Sequence, residues 1–180
     1  MGFFDKDFFE ILSAETVSLF GGLVVGTILL IYTGEFLLIP GMLILLPGFF
    51  ELRGNISGSF AARLSSGLFL GVIDPYHPGK RIIGQNLLAS FLLAIVVSLA
   101  LGLIAFLFIY FAFSTVYPRI LLISVIAGVI ANAIEIPLTL YATFILFRKG
   151  HDPNNIMGPF VSVSGDVISL FALIIAVLVV

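Results

Sequence analysis

Long apolar runs separated by short polar segments dominate the chain, and they predict an all-α polytopic membrane protein with five transmembrane helices. One crossing of a bilayer takes about 20 apolar residues. The runs predict spans at about residues 12–32, 36–72, 84–113, 120–147 and 153–180. Thr33-Gly34-Glu35 is the predicted turn after the first span. The second run is too long for one straight crossing and contains Pro40, Pro47 and Gly54, so we expect a kinked or broken helix there.

The composition indicates that lipid is the solvent for most of the chain. Hydrophobic residues make up 61% of the 180 residues and charged residues 10%, whereas a soluble domain carries about 25% charged residues. The net charge of −2 and the lack of a basic stripe argue against a nucleic-acid partner. We therefore expect a single multi-pass domain over residues 1–180, embedded in the cell membrane.

The charges of the polar loops predict how the helices are oriented. With the N-terminus in the cytoplasm, the inner loops carry Lys6, Lys80, Arg81, Arg148 and Lys149, and the outer loops carry Arg119. Cytoplasmic loops are generally enriched in Lys and Arg. The sequence therefore favours an N-in, C-out arrangement.

Asp166 is the strongest candidate for a functional residue. It lies near the midpoint between Pro153 and Val180, the ends of the fifth span. A mid-membrane aspartate costs roughly 2.5–3.5 kcal/mol and usually faces a bundle interior or a wet cavity. A structural aspartate satisfied by a neighbouring arginine or hydroxyl is the alternative. Residues at helical spacing around it form a small, polar stripe, namely Gly158, Ser162, Gly165 and Ser169.

The second predicted helix carries a matching small and polar stripe. Its members are Glu51, Gly54, Asn55, Gly58, Ser59, Ala62 and Ser66. Gly54 and Gly58 form a GxxxG pair, which is equally typical of close helix packing. Asn55 adds an amide oxygen that can hold a hydrated ion, so the stripe is a candidate pore wall. Glu51 and Arg53 are expected near an interface, solvated or paired.

Glu135 is a third polar group within an apolar run, with Asn132 one turn before it. Three roles are open for it: a second ion site, a proton carrier, or a salt-bridge partner of Arg53 or Arg63. The salt-bridge or structural role is slightly favoured. Together with Ser59, Glu135 and Asn132 form a secondary candidate site for an ion or a coupling proton.

The residue types in the chain restrict the ion and argue against an enzyme. Cysteine is absent, and the two histidines, His77 and His151, lie in predicted loops. An ion inside the membrane would therefore meet oxygen ligands, which suit Mg²⁺, Mn²⁺ or Ca²⁺. A serine protease would lack a base, and an aspartyl protease would lack a second intramembrane aspartate.

Several motifs resemble those of the MgtE magnesium channels and, more closely, of their eukaryotic solute-carrier relatives. Leu52-Arg53-Gly54-Asn55-Ile56 with Ala62-Arg63-Leu64-Ser65 is similar to the family's "GN…RLS" signature. Asn86-Leu87-Leu88-Ala89 fits the start of the third span. Asp152-Pro153-Asn154-Asn155-Ile156 with Pro159, Gly165 and Asp166 is similar to the final helix. The resemblance covers about residues 36–180.

The resemblance implies a fold, a partner and a transported ion. Helices 2 and 5 would line the ion pathway, and Asp166 would be the main Mg²⁺ site, largely through water, with Gly54, Asn55 and Ser162 around it. The eukaryotic relatives fuse two units whereas this chain has one, which implies a homodimer. Mn²⁺, Co²⁺ or Ca²⁺ are also compatible with the ligands.

Three functions stay open at this point. The favoured one is a Mg²⁺ channel or uniporter. The second is an exchanger that couples the cation to Na⁺ or H⁺, with Glu135 as the coupling site. The third is a non-transporting membrane assembly subunit. The family has a pair of glycines before its asparagine, whereas this chain has Arg53-Gly54. We therefore also expect a cation beside the pathway.

Overall fold

The computed structural model describes residues 5–180, and nearly all of them belong to five α-helices. These are α1 (Lys6–Leu37), α2 (Met42–Phe69), α3 (Lys80–Phe113), α4 (Arg119–Arg148) and α5 (Pro153–Val179). No strand occurs in this part of the chain. The predicted all-α class is confirmed.

Successive helices run in opposite directions along the bundle. At one end, a β-carbon on Gly41, just before α2, would lie 3.2 Å from Ile109 of α3 and 3.6 Å from Ile120 of α4. At the other end, the rings of Phe69 and Phe147, near the C-termini of α2 and α4, lie 5.1 Å apart. We call this second end the basic end, because the five cations predicted to be cytoplasmic collect there: Lys6, Lys80, Arg81, Arg148 and Lys149.

Four of the five helices are long and apolar enough to cross a membrane, namely α1, α3, α4 and α5. The α2 helix, which carries Glu51, Arg53 and Arg63, is not in this group. However, its 28 residues extend for about 42 Å at 1.5 Å per residue. Since its two ends contact opposite ends of the bundle, α2 runs the full length beside the four apolar helices.

The chain reverses direction at residues 38–41, and not at the predicted turn Thr33-Gly34-Glu35. The α1 helix continues through that tripeptide, where the Thr33 hydroxyl donates to the Leu29 carbonyl at 2.8 Å. Pro40 lacks an amide hydrogen, and Gly41 has a φ of 85°, which side chains disfavour. The Pro-Gly pair therefore ends the helix. The α2 helix is continuous through Pro47, so a bend at Pro47 stays a prediction.

The interior has a polar layer between two apolar layers. Phe49 and Leu173 belong to the apolar cluster further from the basic end, and Phe60 and Phe144 belong to the cluster nearer to it. The polar layer lies between them along α2 and α4 and contains the buried side chains of Arg53, Ser98, Asn132 and Glu135. On α3, the buried face consists mainly of small residues at helical spacing: Ser90, Ala94, Ser98, Gly102 and Ala105. Small residues let neighbouring helices approach closely.

Candidate functional site

The four residues predicted as the principal ion site line one groove between α2 and α5. This α2–α5 groove has a volume of about 380 Å³. Its lining consists of Pro47, Phe50, Glu51, Gly54, Asn55, Gly58, Gly158, Val161, Ser162 and Asp166. The structure thus brings the amide of Asn55 together with the hydroxyl of Ser162 and the carboxylate of Asp166, which follow it by more than 100 residues in the sequence.

The two glycines of the GxxxG pair keep the groove open. A β-carbon on Gly54 would lie 3.8 Å from the Ser162 hydroxyl oxygen, and one on Gly58 would lie 3.9 Å from a Val161 methyl. Both are ordinary van der Waals distances, so backbone contact between the helices does not require a glycine at either position. What the glycines provide is free volume, beside Ser162 at Gly54 and beside Val161 at Gly58.

Glu51 also lines the groove, although the sequence indicated an interfacial role for it. The Asn55 side-chain amide donates to its carboxylate at 3.1 Å. This bond joins residues four apart on one helical face, a spacing already visible in the polar stripe. One protomer therefore places two carboxylates, Glu51 and Asp166, in the groove.

The predicted stripe of α5 divides between two environments. Gly158 and Ser162 are exposed and Asp166 is half-buried, and all three face the groove. Gly165 and Ser169 are buried in the protomer. A β-carbon on Gly165 would lie 3.3 Å from the β-carbon of Arg53. Part of the stripe therefore serves helix packing, and the remainder forms the candidate site.

Arg53 points into the protomer and does not line the groove. Its side chain is fully buried and stacks on the ring of Phe49 at 4.8 Å. It donates to the Ser98 hydroxyl at 3.1 Å and to the Gly128 carbonyl at 3.4 Å. Arg53 is therefore not solvated at an interface, and the expectation of a cation beside the pathway stays a prediction. The rotation of α2 places Arg53 against α3 and α4.

Glu135 is buried in the polar layer and forms no salt bridge with either arginine within residues 5–180. Ser164 donates a hydrogen bond of 3.0 Å to its carboxylate. Arg63 bonds instead to Asn86 and Ser90 of α3, at 3.2 and 2.9 Å. Of the slightly favoured salt-bridge or structural role, the salt bridge is thus not observed, and the role of Glu135 stays a prediction. The other carboxylate oxygen has no hydrogen-bond partner in the described chain.

The members of the secondary candidate site lie in different places. Asn132 shares the polar layer with Glu135, and its side chain donates to the Gly128 carbonyl at 2.7 Å. Ser59 is exposed and lies on the outer face of α2, in an adjoining groove against α3 that shares Glu51 and Asn55 with the α2–α5 groove. The structure therefore joins Glu135 and Asn132 but not Ser59.

The ligands of the α2–α5 groove suit a hydrated divalent cation. Among residues 5–180, no group of three or more His, Cys, Asp or Glu side chains is placed to hold a bare metal ion. Mg²⁺ dehydrates reluctantly and usually keeps several waters, bound through one or two carboxylates. Two carboxylates, an amide and a hydroxyl can hold the waters of such an ion.

Five antiparallel helices, four of them apolar enough to span a bilayer, and an acidic groove together define a multi-pass membrane protein suited to cation transport. The family model MgtE, described as a divalent cation transporter, matches residues 46–176. The chain therefore belongs to the MgtE family of divalent cation transporters. The resemblance seen in the motifs is confirmed at the level of the family. No curated protein and no solved structure matched the chain.

Proposed function

We propose that two copies of this chain form a pathway for Mg²⁺ through the cell membrane, with Asp166 as the main ion site. The observation that carries the proposal is the α2–α5 groove, which gathers Asp166, Asn55, Gly54 and Ser162 on an outer face of the protomer. Membership of a divalent cation transporter family supports the same function.

The exposed face of α2 supports the homodimer. Glu51, Asn55, Ser59, Arg63 and Ser66 are all exposed in the protomer. In lipid, polar side chains of this kind are costly and normally face protein or a water-filled cavity. A second copy, related by two-fold symmetry, would cover this face and place two α2–α5 grooves opposite each other.

The proposed mechanism uses the groove as a holder of a hydrated ion. Asp166 of each copy supplies negative charge, and Asn55, Ser162 and Glu51 bind the waters around the cation. The carboxylates must be ionised to attract the cation, so protons compete with it. We expect the affinity for Mg²⁺ to fall on acidification.

The proposed topology has five crossings, with α2 as the fifth membrane helix and the basic end in the cytoplasm. All five predicted cytoplasmic cations lie at that end, and Arg119 lies at the start of α4, at the opposite end. This distribution follows the enrichment of Lys and Arg in cytoplasmic loops.

Coupled exchange is the second candidate function, and the buried carboxylate of Glu135 favours it. One of its oxygens lacks a partner within residues 5–180. The other accepts a hydrogen bond from Ser164, which is two residues from Asp166 on α5. A proton or Na⁺ bound at Glu135 would thus change the hydrogen bond to Ser164 and, through α5, the position of Asp166 at the ion site.

Flux into proteoliposomes of the purified full chain tests these proposals. Mg²⁺ uptake driven by its own gradient and the membrane voltage supports a channel. A requirement for an imposed Na⁺ or H⁺ gradient supports exchange, and no flux leaves an assembly subunit. Asp166→Ala should abolish uptake and leave dimerisation intact, whereas Asp74→Asn, in a loop, should transport normally. Undiminished uptake by Asp166→Ala would overturn the assignment of Asp166.

A further inference from the structure

A second groove lies between α3 and α4 at the basic end, away from the α2–α5 groove. It has a volume of about 430 Å³. Ile83, Leu87, Leu140 and Phe144 form apolar walls, and the lining also includes Lys80 and Arg148. Since these two cations lie at the helix ends, the α3–α4 groove has apolar walls and positive charge at one end.

The Arg148 guanidinium is held in place by the protein. Its Nε donates to the Pro75 carbonyl at 2.7 Å. The group also lies over the rings of Tyr76 and Phe144, at 5.5 and 5.7 Å from their centroids. The terminal nitrogens have no hydrogen-bond partner in the described chain, so they are free to bind an anion.

Lys80 places a second positive group at the same end. It is exposed and is the first residue of α3. Gly79, which caps this helix, supplies no side-chain acceptor to the amides of the first turn. Helix N-termini of this kind attract anions. The lysine, the arginine and the helix terminus therefore all attract an anion to this end of the groove.

We propose that the α3–α4 groove binds an anionic phospholipid. One acyl chain lies along Ile83, Leu87 and Leu140, and the phosphate lies between Lys80 and Arg148. Charge complementarity decides the occupant: the exposed Asp74 carboxylate, which interacts with Arg148, offsets only one of the two cations, and a zwitterionic lipid would bring a further cation of its own. Basic pockets between helices on the cytoplasmic side of a membrane recognise such headgroups. The placement of the groove on the cytoplasmic side rests on the proposed topology, with the basic end in the cytoplasm, and lipid binding does not depend on whether the protein transports Mg²⁺.

Native mass spectrometry of the full chain tests it, with equal amounts of phosphatidylglycerol and phosphatidylcholine added to the detergent. Wild type should retain phosphatidylglycerol in preference. The double variant Lys80→Gln/Arg148→Gln should lose affinity for it roughly thirtyfold. The matched control Arg81→Gln/Lys149→Gln removes the same charge from the same end, outside the groove lining, and should keep the preference.

A third variant tests the groove without changing any charge. A β-carbon on Gly84, which lines the groove, would meet no atom within 4 Å. Gly84→Phe should therefore fold and fill the groove, and lipid retention should fall. If both double variants lose phosphatidylglycerol equally, the lipid is held by general attraction to a basic surface, and the proposal is overturned. Unchanged retention of phosphatidylglycerol by Gly84→Phe would also overturn it. So would binding of inorganic phosphate as tight as that of phosphatidylglycerol.

Discussion

Gly165 lies against Arg53 so closely that a β-carbon on the glycine would stand 3.3 Å from the β-carbon of the arginine. This approach brings α5 next to α2 where the arginine turns into the protomer. The next residue, Asp166, faces the groove. Two consecutive residues of α5 therefore face the two sites: Gly165 contacts the buried Arg53, and Asp166 lines the candidate ion site.

Replacing Arg53 should destabilise the protomer. Arg53→Met keeps most of the apolar stem but loses the hydrogen bonds to Ser98 and Gly128. We expect a loss of about 2 kcal/mol in the free energy of unfolding, a typical value for buried hydrogen bonds to a charged group. Thermal unfolding in detergent, followed by circular dichroism, measures it. Arg81→Met, at an exposed position of α3, is the control and should cost less; equal losses would contradict the buried role of Arg53.

Filling the α2–α5 groove at Gly54 should reduce transport and preserve the fold. A leucine there would extend into the free volume beside Ser162, since even its β-carbon would lie 3.8 Å from the hydroxyl oxygen. Mg²⁺ flux should fall sharply in Gly54→Leu. Gly22→Leu is the matched control, because a β-carbon on Gly22 would meet no atom within 4 Å. Normal flux in Gly54→Leu would place the ion pathway elsewhere.

Neutralising Glu51 should weaken the attraction for the cation. Glu51→Gln removes one charge from the groove but keeps an oxygen that can accept the hydrogen bond from Asn55. A carboxylate near a divalent ion in a partly wet site justifies an effect on the order of tenfold. The Mg²⁺ concentration that gives half-maximal flux should rise accordingly. The same change at Glu35, on α1, should leave it unaltered, and a shift of equal size there would argue for a non-specific effect.

The loop between α2 and α3 should lose stability in strong acid. The Asp74 carboxylate accepts hydrogen bonds from the backbone amides of His77 at 2.8 Å and Tyr76 at 2.7 Å. These bonds lower the pKa of Asp74 below its ordinary value. Since the folded pKa is the lower one, the stabilisation is complete above the unfolded pKa and is lost as the pH falls through the folded pKa.

The melting temperatures of wild type and Asp74→Ala at a series of pH values measure this effect. The advantage of wild type should be constant near neutrality and shrink as the pH falls below about 4. Asp74→Asn keeps an acceptor without a titrating charge, so its difference from Asp74→Ala should not vary with pH. A wild-type advantage that grows in acid would refute the assignment.

The sequence predicted the helices well because their ends coincide with strong local signals. The fifth helix begins at Pro153, as predicted, since proline suits the first helical position and the Asp152 side chain caps the Asn154 amide at 2.8 Å. The predicted position of the first turn, Thr33-Gly34-Glu35, is wrong because Gly34 alone does not end a helix in an apolar environment. The Pro40-Gly41 pair does so, by removing a donor and reversing φ.

The direction of each polar side chain was harder to predict than its presence. Asp166 and Asn55 stand out because each interrupts an apolar run. Adjacent residues on a helix point about 100° apart, so Arg53 and Gly54 face different neighbours. Which of them faces the groove depends on the rotation of α2 against α3, α4 and α5, and the sequence of α2 alone does not contain that information.

The burial of Arg53 also has a consequence for biosynthesis. The carbonyl of Gly128, one of its two acceptors, follows it by 75 residues in the chain. At about 5–20 residues per second, the ribosome needs roughly 4–15 seconds to supply that partner. Until Ser98, 45 residues after Arg53, and then Gly128 are made, the guanidinium lacks one or both of its acceptors, which is expensive in hydrocarbon. In the proposed five-crossing topology, stable membrane insertion of α2 should therefore follow the synthesis of α4.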